Sequence, residues 1–204
     1  MLNTTFDNII SIFPKQVYVC TNDVIPKEEH EYLLLLDYIA GTQFREQNTS
    51  INKYVLNDTP NIKSFIEHHL FWYFQNIYAT HQKIKITQSW CVKDDKLAKH
   101  HHRNSLISGV YYVDVDSEDD RLILYNDTPS KKFFDWGYDE TLGSKNPGYW
   151  DWTGFNIQKG KLILFPSYME HSSVFNSNSR CVLAFNTWFD GSFGVNTMLS
   201  ETIV

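Results

Sequence analysis

The chain is poor in the features that would assign it to a class at sight. Its three cysteines, Cys20, Cys91 and Cys181, are odd in number, far apart and without CxxC spacing, which excludes a disulfide framework and a zinc ribbon and points to a reducing compartment. Basic residues are outnumbered, with 18 Lys and Arg against 24 Asp and Glu and a formal net charge of -6. General nucleic-acid binding is therefore not expected, because a phosphate-backbone binder needs a basic surface to displace counterions. No stretch approaches the roughly 18 apolar residues of a membrane span, and Met1-Leu2-Asn3-Thr4-Thr5-Phe6-Asp7 has no basic segment leading into an apolar core. The expectation is a soluble cytoplasmic protein with no membrane partner. Glycine (9) and proline (6) are sparse, and there is no internal repeat or low-complexity tract, so a disordered or fibrous chain is excluded as well.

What the chain has is apolar and aromatic surface to bury. Hydrophobic residues make up 42% and aromatics 16% of 204 residues, enough for one domain with a sizeable core. Phe13 to Cys20 reads as an edge strand opened by Pro14, and Pro26 to Gly41 as a helix with a proline near its start, acids in its first turns and glycine at its stop. His30 in that helix reads as solvated. Asp58-Thr59-Pro60 supplies a cap and an N1 proline for a second helix, whose apolar positions Ile62, Phe65, Ile66, Phe74, Ile77 and Tyr78 recur at helical spacing. His68 and His69 lie within it, and adjacent helical residues diverge by about 100°, so they cannot chelate as a pair.

From Lys83 onward the period changes to that of strands, with Ile84, Ile86, Gln88, Trp90 and Val92 alternating against Lys85, Thr87, Ser89 and Cys91. Further strands are expected at Leu106 to Val115, Arg121 to Tyr125, Gly154 to Ile157, Lys161 to Phe165, His171 to Phe175 and Arg180 to Phe189. The last can bury both faces: if Arg180 points into a barrel, Cys181, Leu183 and Phe185 must meet the N-terminal helices. Asp114 to Asp120 reads as an acidic turn, since it lacks the glycine and terminal glutamate of a calcium loop. Asp127 to Asp151, with Trp136, Tyr138, Tyr149 and Trp150, is long enough for a lid or binding loop. The fold expected is mainly β with N-terminal helices, a jelly roll or sandwich in a single domain over 1–204, with helices in 1–82, the β core in 83–190 and a tail in 191–204.

The chemistry gathers at Lys99-His100-His101-His102-Arg103, which leads into the strand Ile107-Ser108-Gly109-Val110-Tyr111-Tyr112-Val113. In extended backbone His100 and His102 point one way and His101 the other, which makes a two-toothed metal clamp. A third tooth is offered by His171, after the turn at Pro166, and Arg180 follows nine residues on. Neutral imidazoles suit first-row metals, and three facial ligands leave positions open for O2 and a chelating cosubstrate, an arrangement that fits iron. An arginine supplies a planar, permanently charged fork for a carboxylate.

His100-x-His102-x-Asn104-Ser105-x-x-Ser108-Gly109-Val110-Tyr111-Tyr112-Val113, then Leu164-Phe165-Pro166-Ser167-x-x-x-His171 and Arg180-x-x-x-x-Phe185-Asn186, resembles the 2-oxoglutarate- and Fe(II)-dependent oxygenases related to prolyl hydroxylases. The resemblance also touches Phe13-Pro14 and Ser89-Trp90. It implies a double-stranded β-helix, a distorted jelly roll of cupin-like form, and an enzyme using Fe(II), 2-oxoglutarate and O2 to hydroxylate a small-molecule or peptide substrate with release of succinate and CO2. Carried over by position, His100 and His171 correspond to histidine ligands and Arg180 to the partner of the distal carboxylate, while Tyr112, Trp90 and Asn186 would line the same pocket. The family usually has a carboxylate two residues after the first histidine, where this chain has His102. A third imidazole leaves the iron one unit more positive; His102 either binds it or orients water or substrate, with Asp94 and Asp95 as surrogate carboxylates. Two other classes stay open: a cupin-like three-histidine dioxygenase or zinc hydrolase using no 2-oxoglutarate, and a non-enzymatic aromatic-rich β-sandwich that binds sugar or peptide. The substrate and the oligomeric state, including a homodimer, are left open by the sequence.

Overall fold

The computed structural model describes residues 15–39, 48–117, 119–126, 152–176, 179–194 and 202–203. Phe13-Pro14 and the aromatic stretch 127–151 lie outside them. In chain order the elements are β1 (Tyr18–Thr21), α1 (Lys27–Leu34), β2 (Tyr38–Ile39), β3 (Thr49–Ser50), a 3₁₀ turn (Val55–Asn57), α2 (Pro60–Tyr78), β4 (Lys83–Lys93), β5 (Ile107–Val115) and β6 (Arg121–Tyr125). They continue with β7 (Trp152–Asn156), β8 (Lys161–Pro166), β9 (His171–Val174), β10 (Arg180–Asp190) and a short pair, β11 (Ser192–Phe193) with β12 (Thr202–Ile203).

Two antiparallel sheets carry the fold, one in the order β1-β8-β5-β10-β4-β3-β2 and a smaller one in the order β7-β6-β9. Between them lies one core, of Val110, Tyr112, Ile163 and Phe165 from the large sheet against Leu122 and Leu124 from the small one. Behind the large sheet lies a second core, where Cys91, Tyr111, Leu162, Leu183 and Phe185 meet Leu33, Leu56, Ile62, Ile66 and Leu70. β10 serves both: Val182 and Ala184 pack toward the inter-sheet core while Cys181, Leu183 and Phe185 pack toward the helices, as its two-faced sequence requires. Gly109 in β5 is required by this packing, because a Cβ there would come within 2.6 Å of Phe185 Cε1 and 2.8 Å of Leu164 Cδ2.

Three local expectations are corrected. The first helix ends at Leu34 rather than at Gly41, because the chain turns there to let Tyr38 and Ile39 pair with Ser50 and Thr49, and the Tyr38 hydroxyl donates to Leu33 O at 2.8 Å. His30 is not solvated but buried, its Nε2 hydrogen-bonded to the Tyr111 hydroxyl at 2.9 Å. The start of α2 is not capped by its own flank either. Thr59 makes no capping bond to the helix, and the orphan N–H groups of Asn61 and Ile62 donate instead to the Glu29 carboxylate of α1, each at 2.8 Å.

Candidate metal centre

The segment before β5 is zipped to the segment between β8 and β9. His100 N–H donates to His171 O at 2.9 Å and His171 N–H returns to His100 O at 2.7 Å, so the two residues form an antiparallel bridge. Two residues on, His102 N–H donates to Ser167 O, and Ser167 N–H to Leu106 O, both at 3.0 Å. Asn104 then takes φ 56, a left-handed turn that asparagine tolerates, and the chain enters β5. Beneath this zipper runs a chain of hydroxyls: Ser167 Oγ to Ser105 Oγ at 2.8 Å, Ser108 Oγ to Ser167 Oγ at 2.8 Å, and Ser108 Oγ to Asn186 Oδ1 at 3.1 Å. These bonds fix the loop that presents the histidines.

His100, His102 and His171 come together with their ligand atoms all within 4.8 Å of one another, and they are the only such group of metal-binding side chains among the described residues. His101 points away and is exposed, as alternation demands. Backbone carbonyls set two of the rings: Nδ1–H of His100 donates to Ala98 O at 2.8 Å and Nδ1–H of His171 to Met169 O at 3.1 Å, which leaves each Nε2 lone pair facing the centre. Burial, reinforced by the neighbouring imidazoles, lowers His171 to about 3 and His102 to about 4, and burial lowers His100 too. All three are therefore neutral at ordinary pH, the form that binds metal. The Nε2 atoms of His102 and His171 stand 3.2 Å apart. Two nitrogens each about 2.1 Å from one ion at a right angle would be about 3.0 Å apart, so this spacing fits a pair of adjacent ligands.

The other candidate residues surround this cluster. The Trp90 ring lies 5.9 Å from that of His102, centroid to centroid, and Phe165 packs edge-on against His171 at 4.8 Å. Tyr112 is buried in the inter-sheet core beside Arg180; burial pushes its phenol well up, and the Arg180 charge pulls it partly back. Asn186 takes part in the hydroxyl chain rather than touching a histidine. Asp94 and Asp95 do not join the cluster: Asp94 Oδ1 accepts from Arg180 N at 2.8 Å, and Asp95 accepts from the N–H groups of Asn48 and Lys96 at 2.6 and 2.7 Å.

Arg180 is buried, and its guanidinium is already engaged. One terminal nitrogen donates to Val174 O at 2.7 Å and to Asp120 Oδ2 at 3.3 Å; the other donates to Asp95 O at 2.6 Å and to Ser173 Oγ at 3.0 Å. Phe175 covers it at 4.9 Å from the ring centroid. Asp120 is fully buried, and its Oδ1 accepts from Asn176 N at 2.7 Å. The sequence reading missed Asp120 by dissolving it into an acidic turn. The available signal was its alternation with Leu122 and Leu124, which puts it on the inward face at the mouth of β6.

Residues 88–186 match the family model described as "Putative 2OG-Fe(II) oxygenase". The β core is that of a 2OG-Fe(II) oxygenase. The matched stretch covers about half of the chain and contains all three clustered histidines, Asp120 and Arg180. Solved structures agree on the fold. An oxidoreductase of the 2OG-Fe(II) oxygenase family from Burkholderia pseudomallei superposes with TM-score 0.56 at 10% identity over 84% of this chain and 83% of its own. The epimerase SnoN from nogalamycin biosynthesis, described as alpha-ketoglutarate-dependent, gives TM-score 0.57 at 11% identity over 87% and 80%. HygX from Streptomyces hygroscopicus, solved with nickel and 2-oxoglutarate bound, gives 0.50 at 13% identity over 85% and 82%. No curated protein matches the chain. The architecture is thus the double-stranded β-helix, and the family that residues 88–186 match is one of oxidoreductases that use Fe(II), 2-oxoglutarate and O2. The donor set fits that metal, since all three imidazoles are neutral and two are oriented by carbonyls.

Proposed function

We propose that the oxygenase hydroxylates a C–H bond of a small-molecule substrate, with the balance R–H + 2-oxoglutarate + O2 → R–OH + succinate + CO2. The observation that carries this reading is the convergence of three neutral imidazoles, two tethered through Nδ1, within the matched core. His100 and His171 are the ligands on the two bridged backbones, and His102 is the third. Bound there, Fe(II) supplies the activation of O2 and the redox capacity that couples decarboxylation to substrate oxidation. A neutral third ligand leaves the ion more positive than a carboxylate would, which strengthens its hold on an anionic chelate. Trp90 and Phe165 close the centre with apolar surface against His102 and His171 and keep bulk water from it. Arg180 and Tyr112 bound the far end of the cosubstrate pocket, reached along β9 through Ser173, two residues beyond His171 on the same strand face. The substrate class follows the company of the fold: HygX has been solved with hygromycin B bound, and SnoN belongs to nogalamycin biosynthesis.

The test is a titration of the anaerobic Fe(II) protein with 2-oxoglutarate, followed by admission of air. A visible charge-transfer band, then equal amounts of succinate and CO2, is expected. Metal bound at the histidines with no response to 2-oxoglutarate would move the protein to the three-histidine dioxygenases that use no cosubstrate. Absence of Fe(II) affinity would leave a binding module.

A further inference from the structure

Arg180 does not wait with an open fork. Four acceptors of the protein itself take its two terminal nitrogens, and one of them is a carboxylate, that of the fully buried Asp120. Asp120 is in turn held from behind by the Asn176 N–H, so it is seated rather than swinging free. Around Arg180, at this end of the pocket, the Asp120 carboxylate offsets the guanidinium, and Asp94 and Asp95 stand close by on the negative side, so no surplus of positive charge is left there before any ligand arrives. At the other end stand three uncharged imidazoles, so a divalent ion there keeps its full charge. Positive charge is thus concentrated at the metal end.

We propose that Asp120 is a specificity-determining residue for the cosubstrate: by occupying the Arg180 fork it withholds the arginine from a distal carboxylate. The site then grips a 2-oxo acid by its chelating head. A 2-oxo acid with an uncharged tail binds nearly as well as the dicarboxylate. A free arginine fork would behave differently, because two charge-assisted hydrogen bonds to a distal carboxylate favour the dicarboxylate by on the order of a hundredfold or more. A second carboxylate pressed against Asp120 also meets like-charge repulsion in a buried setting. This inference rests on the proposed oxygenase reading of the site.

The test compares 2-oxoglutarate with 2-oxopentanoate, which has the same chelating head and chain length but a methyl in place of the distal carboxylate. Both are titrated by absorbance into the anaerobic Fe(II) protein, in the parent and in Asp120→Asn. The parent should bind the two acids within about tenfold of each other. Asp120→Asn keeps the shape and removes the negative charge, so its preference for 2-oxoglutarate should widen by about tenfold or more, chiefly through tighter binding of the dicarboxylate. A parent that prefers 2-oxoglutarate by about a hundredfold or more overturns the proposal, and this comparison needs no variant to fold. So does an Asp120→Asn protein whose preference narrows, for Asp120 would then be a buttress that aims the arginine. If neither acid perturbs the Fe(II) protein, it is the oxygenase reading that falls.

Discussion

At the scale of the residue, the site depends on which imidazole nitrogen carries the proton. The Ala98 and Met169 carbonyls fix Nδ1–H on His100 and His171, so removal of either ring deletes a lone pair that nothing nearby replaces. His100→Ala and His171→Ala should each weaken Mn(II) or Fe(II) binding by about a hundredfold or more by calorimetry, while His68→Ala, exposed on α2, should bind like the parent. His102→Asp should keep or improve that affinity, since it offers a charged oxygen ligand at the same point; equal loss in His102→Asp and His102→Ala would make that position one that requires imidazole. A second residue-scale prediction concerns His30. Burial is the main cause holding its pKa below the ordinary histidine value of about 6.5. Above that pH both folded and unfolded chains are neutral there and nothing is gained. Below it the unfolded chain takes up the proton first, so stability falls as pH drops from about 6.5 toward the folded value. His30→Gln can keep a donor toward Tyr111 but does not titrate, so the parent's advantage in melting temperature over this variant should shrink between pH 7.5 and 5. An advantage independent of pH would mean that His30 does not enter the folded state neutral. His100 and His102 were legible from their own spacing and His171, 69 residues from His102, from its place after an apolar strand and the turn at Pro166, whereas His30 carried no such mark of its partner, Tyr111, 81 residues away.

At the scale of the element, the most informative contact is the carboxylate of Glu29 at the start of α2. One residue of α1 closes two N–H groups of another helix and also accepts from the Asn61 side chain at 2.7 Å. Glu29→Ala would leave those donors buried or poorly hydrated, and charge-assisted bonds of this kind contribute about 1.5–3 kcal/mol each, with caps typically nearer 1. A loss of roughly 2 kcal/mol in urea unfolding is expected, with Glu29→Gln losing less because its amide oxygen still accepts one bond. A loss within about 0.5 kcal/mol would show that water caps the helix equally well. The sequence pointed to a cap at Asp58-Thr59 because local patterns favour local caps, yet Thr59 Oγ turns to Val55 O instead. The strands were more legible than the helix ends. β10 carries its two-faced burial in its own alternation, and β4 its period change, so both could be read without knowing their neighbours. The end of α1 could not, because it is set by β2 and β3, elements of two residues each with no periodicity to detect.

At the scale of the whole molecule, the three histidines sit where the two sheets are joined. His171 begins β9 of the small sheet, which pairs with β6, while His100 and His102 belong to the segment that leads into β5 of the large one. This bridge is one of the polar links between the layers, beside the two bonds that Leu97 and Ser173 exchange and those of Arg180 to Asp120, Ser173 and Val174. An ion held by all three rings therefore cross-links both sheets and the loop between them, and it binds the folded chain far better than the unfolded one. Free ligand at a hundred times its Kd adds about 2.7 kcal/mol to folding stability. For a chain of this size about 1 kcal/mol moves the melting temperature by roughly 2–4 °C, so saturating Mn(II) should raise it by roughly 5–11 °C. A chelator should reverse the shift. In His171→Ala the same addition should give almost none, and 2-oxoglutarate without metal should give little in the parent, because its chelating head then has nothing to grip. A full shift in His171→Ala would mean that the ion binds elsewhere, and the joint between the sheets would be no metal centre.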